Sequence, residues 1–93
     1  MDEQVRDNPA MSRFEMPLTG GTVAAAYYKI EDGRVHLLHT EVPQEFSGQG
    51  KGSTLARGVF EILRARGQRA VATCPFMAGY ASRHPEYAAM LDG

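Results

Sequence analysis

The chain has 93 residues, a formal net charge of −1, 43% hydrophobic residues and 23% charged residues, which is the composition of one small globular domain, residues 1–93. No cluster of Lys and Arg stands out, so neither a nucleic-acid surface nor an anionic membrane is predicted as the main partner. One cysteine excludes an internal disulfide, and no apolar run approaches the roughly 20 residues of a membrane span, so we expect a cytoplasmic protein.

The first half of the chain predicts antiparallel strands. Residues 3–10 are polar and end in an Asn-Pro turn, so no strand is predicted there. Hydrophobic residues alternate with polar ones over 12–18, and the runs 23–31 and 34–42 are rich in β-prone residues. The pair Asp32-Gly33 between the last two runs is typical of a tight hairpin turn. These runs predict an antiparallel meander.

The second half of the chain predicts two helices and a strand between them, followed by a short last helix. Hydrophobic residues recur on one face of a helix predicted over 53–66, and Gly67 suits its C-terminal cap. The β-prone run 69–74 would return to the sheet parallel to the strand before that helix. Further helices are predicted over 75–82, opened by a proline, and from 84 to about 91. This order predicts an α+β fold with a mixed, mostly antiparallel sheet.

A glycine-rich segment, Gly48–Gly52, joins the third predicted strand to the main helix, with glycine at every second position. Glycine takes positive φ at little cost and lets a ligand approach the backbone closely. The start of a helix adds free N–H groups and partial positive charge. Together these features predict an anion site, most often for phosphate, and a plain flexible turn is the alternative.

Two common phosphate motifs do not fit this segment. A P-loop needs Ser or Thr directly after its lysine, whereas Gly52 follows Lys51. A dinucleotide-binding fingerprint needs its last glycine where Ser53 stands, and it belongs in a larger parallel fold.

A third pattern fits better. The acetyl-CoA loop of the GCN5-related N-acetyltransferases (GNAT) reads Arg/Gln-x-x-Gly-x-Gly/Ala, and Ser47–Gly52 resembles it at the glycine positions, with Ser47 in place of Arg or Gln. Three further segments follow the family's order: His39–Pro43, Cys74–Phe76 and His84–Tyr87. From about Phe14 to Tyr87 the chain resembles the small, single-domain branch of this superfamily. The resemblance implies a truncated GNAT (acyl-CoA N-acyltransferase) fold.

The resemblance also implies acetyl-CoA as the ligand. The residues that it assigns to cofactor binding are Val42, Pro43, Ser47, Gly48, Gln49, Gly50, Lys51, Gly52, Ser53 and Tyr87. Amides of residues 49–52 would hold the pyrophosphate, Lys51 would add a point charge, and the pantetheine arm would pair with the strand edge near Glu41 and Val42. The missing Arg or Gln at position 47 predicts weaker affinity rather than none. Tyr87 would cover the arm or donate a hydrogen bond near the sulfur, with a packing role as the alternative.

Three residues are candidates for the chemistry: Cys74, Glu41 and His39. The resemblance implies that Cys74 lies beside the thioester, where it either takes the acetyl group or, as we favour, protonates the departing thiolate during direct attack by the amine. An inert buried cysteine is the alternative. His39 and Glu41 alternate on one strand and so point to the same face. Either could remove a proton from the incoming ammonium, directly or through water; otherwise they only bond neighbouring loops.

Two functions remain open at this point. The first is an N-acetyltransferase that acts on a primary amine of a small molecule or a protein. The second is a non-catalytic acyl-CoA-binding module, a sensor or partner platform, because the N-terminal helices that form the acceptor pocket of larger relatives have no counterpart here. Three histidines and one cysteine show no metal-ligand spacing, so no metal is predicted. The sequence identifies neither the acceptor nor the oligomeric state.

Overall fold

The structure, a computed structural model, describes residues 4–92. Its strands are β1 (Arg6–Asn8), β2 (Arg13–Pro17), β3 (Val23–Glu31), β4 (Arg34–Glu41) and β5 (Arg69–Ala72). Its helices are α1 (Lys51–Arg66), α2 (Pro75–Ser82) and α3 (Pro85–Ala88), with short 3₁₀ turns at Pro9–Met11, Thr19–Gly21 and Gln44–Phe46. None of the described helices is long and apolar enough to cross a membrane.

The five strands form one sheet in the order β1-β2-β3-β4-β5. The first four strands pair with one another in antiparallel fashion, and β5 runs parallel to β4, as the helical crossover between them requires. Asp32 and Gly33 take φ of 54° and 73°, the left-handed pair that a tight hairpin needs. The predicted α+β fold with a mixed, mostly antiparallel sheet is confirmed.

The N-terminal strand β1 was not predicted. It pairs with β2 through only three residue pairs, Arg6 with Glu15, Asp7 with Phe14, and Asn8 with Arg13. Three polar residues are too few to show an alternating pattern, so only the pairing with β2 defines this strand. Because β1 pairs with the outer edge of β2, β1 is the edge strand and β2 lies inside the sheet.

The core lies on one face of the sheet. Helix α1 buries Leu55, Val59 and Leu63 at helical spacing, together with Phe60. These side chains share one hydrophobic cluster with residues of β2, β3, β4, α2 and α3. All three helices therefore lie on the same side, and within residues 4–92 no helix covers the opposite face of the sheet.

Strands β4 and β5 separate after four residue pairs, the last of which joins Leu37 to Ala72. The backbone N–H of Cys74 donates a further hydrogen bond to the Leu37 carbonyl at 2.9 Å. Beyond this point β4 continues to Glu41 paired with β3 alone. The divergence leaves one edge of the C-terminal half of β4 open.

A β-bulge lies at the same point. Tyr28 pairs with Leu37 and Tyr27 pairs with His39, so Leu38 has no partner on β3. The extra residue shifts the alternation of side chains by one. Thr40, rather than His39, therefore lies on the core side with Leu37.

The C-terminal segment differs from the prediction. Helix α3 ends at Ala88, whereas the sequence predicted a helix to about Leu91. Instead, Leu91 forms a parallel bridge with Ala70 of β5, and the N–H of Asp92 donates to the Ala70 carbonyl at 2.8 Å. This pairing provides hydrogen-bond partners for the N–H and C=O of Ala70 on the free edge of β5, which a longer helix α3 would not provide.

Candidate active site

The glycine segment forms a sharp turn into α1. The helix begins at Lys51, two residues before the predicted start, with Gly50 as its N-cap. Gly48 and Gly50 take φ of +80° and +74°, and an added Cβ at either position would contact nothing. Backbone conformation, not crowding, therefore requires glycine at these two positions. No described side chain caps α1, and the first turn of any helix has N–H groups without an intrahelical acceptor, which is where an anion can bind.

Gly52 also has a packing role, in addition to its place beside the glycine turn. It lies within α1, and a Cβ built on it would be 3.0 Å from the Cζ of Phe76. The Phe76 ring, 40% exposed, thus lies directly against the first turn of α1. Glycine at this position allows close packing of the ring on the helix.

A cavity of about 240 Å³ lies beside this turn and is called the loop cavity below. Seven of the ten residues predicted to bind the cofactor line it: Val42, Ser47, Gly48, Gly50, Lys51, Gly52 and Ser53. The Lys51 ammonium lies 6.0 Å from the centre of the Phe46 ring, which forms another part of the wall. Helix start, positive-φ glycines and a lysine together make this cavity suited to an anion.

Two other predicted residues of this region lie differently. The N–H of Gln49 already donates to the Phe46 carbonyl at 3.3 Å, and Gln49 does not line the loop cavity. Pro43 lines a separate cavity on the uncovered face of the sheet. The Gln49 amide, which was predicted to bind the diphosphate, is therefore already hydrogen-bonded within the chain.

A second cavity, about 350 Å³ and called the thiol cavity below, contains Cys74. It shares three wall residues with the loop cavity, namely Val42, Gly52 and Phe76. The two cavities therefore adjoin, with the Phe76 ring between them. A ligand that extends from the turn along the open edge of β4 would reach the thiol.

Cys74 is the N-cap of α2 and is 5% exposed. Its Sγ lies 3.4 Å from the Oγ1 of Thr40, at hydrogen-bonding distance for sulfur. Sequence reasoning did not identify Thr40. Simple alternation from Leu37 places His39 on the core face of β4 and Thr40 on the other face, and the bulge at Leu38 that reverses this order has no clear sequence signal.

His39 and Glu41 are brought together, as their spacing predicted. The Nε2 of His39 lies 3.1 Å from the Oε2 of Glu41, and their side chains are 62% and 59% exposed. Both line the cavity that also contains Pro43. This third cavity has a volume of about 520 Å³ and is called the open-face cavity below. His39 also lines the thiol cavity, whereas Glu41 does not. Of the two residues, His39 is thus the one that shares a cavity with Cys74.

Tyr87 lies away from both the loop cavity and the thiol cavity. Its ring stacks on Phe60 with centroids 5.2 Å apart, and its hydroxyl donates to the Oε2 of Glu61 at 2.6 Å. Burial, and then this hydrogen bond, raises the pKa of Tyr87 to about 12, so the phenol stays neutral. In these surroundings Tyr87 packs α3 against α1.

The fold and the site together define a small α+β domain in which a glycine turn at a helix start adjoins a thiol-containing cavity beside two diverging strands. Residues 13–90 match the family model of the GCN5-related N-acetyl-transferases, and the chain therefore belongs to this family. The family expected from the sequence is thereby confirmed.

A solved structure supports the same fold. The solution structure of a GCN5-like protein from Staphylococcus aureus is similar, with a TM-score of 0.71 and 22% sequence identity. The similarity covers 100% of this chain and 92% of that chain, so the two share the whole architecture. Among curated proteins, none matches the sequence.

Proposed function

We propose that this protein transfers the acetyl group of acetyl-CoA to a primary amine, with Cys74 beside the thioester. The observation that carries the proposal is that the loop cavity and the thiol cavity adjoin at Val42, Gly52 and Phe76. Acetyl-CoA carries a diphosphate and a thioester joined by an amide-containing arm. Such a ligand needs an anion site and a reaction centre joined by a cleft, which is the arrangement around α1 and β4.

The diphosphate end would lie at the start of α1. A helix start has N–H groups without an intrahelical acceptor, no described side chain caps this one, and Gly48 and Gly50 carry no side chain that would block a phosphate. Lys51 would add a positive charge. Ser47 also lines this cavity, with a shorter side chain than the Arg or Gln of the family pattern, so affinity rests mainly on the backbone.

The pantetheine arm would pair with the open edge of β4. Strand β5 leaves this edge after Leu37, so residues 39–41 have a partner on the β3 side only. The amides of an extended ligand bind such an edge in the same way as an added strand. This pairing would direct the thioester from the loop cavity toward Cys74.

The chemistry would be direct attack by the amine on the acetyl carbonyl. A C–N bond forms, the C–S bond breaks, and the thiol of Cys74 donates its proton to the departing sulfur. His39 or Glu41 takes a proton from the ammonium before attack, and Cys74 regains its proton from the acetylated nitrogen or from water. Transfer through an acetylated Cys74 is the alternative route, and it requires the same residue.

Release of CoA and binding of acetyl-CoA test the proposal together. The protein is incubated with acetyl-CoA and a panel of small amines and lysine peptides; CoA is measured by chromatography and binding by calorimetry. The wild-type protein should release CoA only when an accepted amine is present. Cys74→Ala should bind acetyl-CoA with unchanged affinity and turn over about 100-fold more slowly. Thr73→Ala, an exposed neighbour, is the control and should behave as the wild type.

Three results would decide against parts of the proposal. Full turnover by Cys74→Ala would remove the thiol from the mechanism. Tight binding without CoA release for every amine would favour the non-catalytic acyl-CoA module. An added mass of one acetyl group on the wild-type protein, formed without amine and absent from Cys74→Ala, would establish the covalent route instead of direct attack.

A further inference from the structure

Three side chains form a row across the uncovered face of the sheet. Arg13, Tyr27 and His39 are direct register partners on the adjacent strands β2, β3 and β4. The Nη1 of Arg13 donates to the Tyr27 hydroxyl at 3.0 Å, and the guanidinium carbon lies 5.7 Å from the centre of the Tyr27 ring. The Tyr27 ring in turn stacks on the His39 imidazole, with centroids 6.1 Å apart and planes 23° apart.

The far end of this row is anchored in the sheet. The Nε of Arg13 donates to the Oε2 of Glu15 at 2.6 Å, and the Nδ2 of Asn8 donates to the same oxygen at 3.0 Å. Glu15 is only 6% exposed, and these two hydrogen bonds, from Asn8 and then Arg13, hold its pKa below the usual value. A buried, ionised carboxylate thus holds Arg13, and Arg13 holds Tyr27.

Of the three residues in the row, only His39 lines the thiol cavity, where the reaction centre is proposed. Its side chain is 62% exposed, and an exposed imidazole with no side chain packed against it would sample several rotamers. Because an ionised carboxylate only accepts hydrogen bonds, the contact with Glu41 places a proton on Nε2 of a neutral His39. The Nδ1 lone pair is then the one that can take a proton.

We propose that Tyr27, held by Arg13, is a positioning residue that fixes His39 to accept the proton of an amine entering from the uncovered face of the sheet. This inference rests on the proposed acetyl transfer. An N–H bond of the ammonium breaks, the proton moves to Nδ1, and Glu41 stabilises the resulting imidazolium. The neutral amine then attacks from the boundary between the open-face cavity and the thiol cavity, both of which His39 lines.

Substitutions at Tyr27 test the role of its ring and its hydroxyl separately. Tyr27→Leu removes the ring, and Tyr27→Phe keeps the ring while removing the hydrogen bond from Arg13. Tyr27→Leu should lower kcat roughly 10-fold, a fraction of the full general-base contribution, and leave the KM for acetyl-CoA unchanged. Tyr27→Phe should fall between Tyr27→Leu and the wild type.

The ¹⁵N spectrum of the imidazoles provides a second measurement that does not need turnover. In the wild type His39 should show one tautomer, protonated on Nε2, and Tyr27→Leu should shift its signals toward the averaged values of a mobile ring. Among residues 4–92, Tyr27 from β3 stacks on His39, Glu41 from its own strand is at hydrogen-bonding distance from it, and Cys74 lines the thiol cavity with it. The control is Tyr28→Phe, which keeps all three of these residues and loses only the Tyr28 hydroxyl that donates to Asp7 on the opposite face of the sheet.

The two readouts separate this inference from the proposed function. If the wild type acetylates no amine but Tyr27→Leu still changes the His39 spectrum, the acetyl transfer is wrong and the positioning stands. If the wild type is active while Tyr27→Leu keeps both its kcat and its His39 spectrum, the positioning role is overturned. An equal spectral change in Tyr28→Phe would also overturn it, because a general loss of stability would then explain the effect.

Discussion

The Oγ1 of Thr40 lies 3.4 Å from the Sγ of Cys74, across the opening between β4 and β5. Two backbone features produce this contact: the bulge at Leu38 turns Thr40 toward the core, and the hydrogen bond from Cys74 to Leu37 places the thiol opposite it. Thr40 is therefore at hydrogen-bonding distance from the sulfur and in a position to orient it.

Removal of this hydroxyl should slow turnover more than it weakens binding. Thr40→Val keeps the branched shape and loses the hydrogen bond, so kcat should fall roughly 3- to 10-fold, with the Kd for acetyl-CoA within about twofold. Thr40→Ser should recover most of the rate. Steady-state kinetics and calorimetry on the three proteins provide the measurement, and a Thr40→Val protein as fast as the wild type would show that the contact is incidental.

Two glycines at opposite ends of α1 allow a matched test of the anion site. Gly50 and Gly67 take φ of +74° and +67°, and an added Cβ at either would meet nothing. Alanine at either position should destabilise the fold by about 1–2 kcal/mol, because the left-handed conformation strains any residue with a Cβ. Only Gly50→Ala should also weaken acetyl-CoA binding, about tenfold, since it disturbs the amides at the helix start. Equal affinities of the two variants in calorimetry would contradict the placement of the diphosphate.

Gly58, in the middle of α1, allows the N-terminal segment to pack closely on the helix. A Cβ at this position would lie 2.2 Å from the Cγ2 of Val5 and 2.6 Å from its Cβ. Helix propensity alone predicts that alanine here would stabilise the protein by about 1 kcal/mol. The overlap reverses this effect, and we expect Gly58→Ala to lower the free energy of unfolding by about 1–3 kcal/mol in urea titrations.

Gly79 provides the control for that measurement, because a Cβ there would lie 3.7 Å from the Nη1 of Arg83, an ordinary contact. Gly79→Ala should be neutral or stabilising. Val5→Gly in the Gly58→Ala background should recover part of the lost stability. If Gly58→Ala proves as stable as Gly79→Ala, the N-terminal segment does not pack on α1 as described.

Asp92 makes stability depend on acid pH. Its carboxylate accepts hydrogen bonds from the Nη2 and Nε of Arg69 at 2.7 and 3.1 Å and from the Nε of Arg34 at 2.8 Å. These bonds, from Arg69 and then Arg34, lower the pKa of Asp92 from 3.8 to about 2. A carboxyl whose pKa is lower in the folded state stabilises the fold above pH 3.8, and this contribution is lost as pH falls toward about 2.

Asp92→Asn should remove this part of the pH dependence. The stability difference between the wild type and Asp92→Asn, measured by urea titration from neutral pH down to about pH 2, should shrink as the pH falls through that window. The C-terminal segment should also lose protection at the Asp92 amide, which donates to Ala70. Parallel curves for the two proteins would rule out the ion pairs as the source.

Local sequence signals predicted much of the architecture. The turn at Asp32-Gly33, the apolar face of α1 and its end at Gly67 each depend on residues close together in the chain. The short pairings of β1 with β2 and of Leu91 with Ala70 could not be predicted, because their partners are distant in sequence and too few residues alternate. Such pairings gain stability only once the rest of the sheet exists.

The sequence by itself determined the family, the glycine turn at the start of α1 and the candidacy of Cys74, because these depend on residue type and local order. Only the tertiary structure decided what surrounds them: Thr40 beside the thiol, Phe76 against Gly52, and Tyr27 stacked on His39. The physical reason is strand register. One extra residue at Leu38 changes which side chains of β4 face the core, and neighbours across strands follow from pairing that no local pattern encodes.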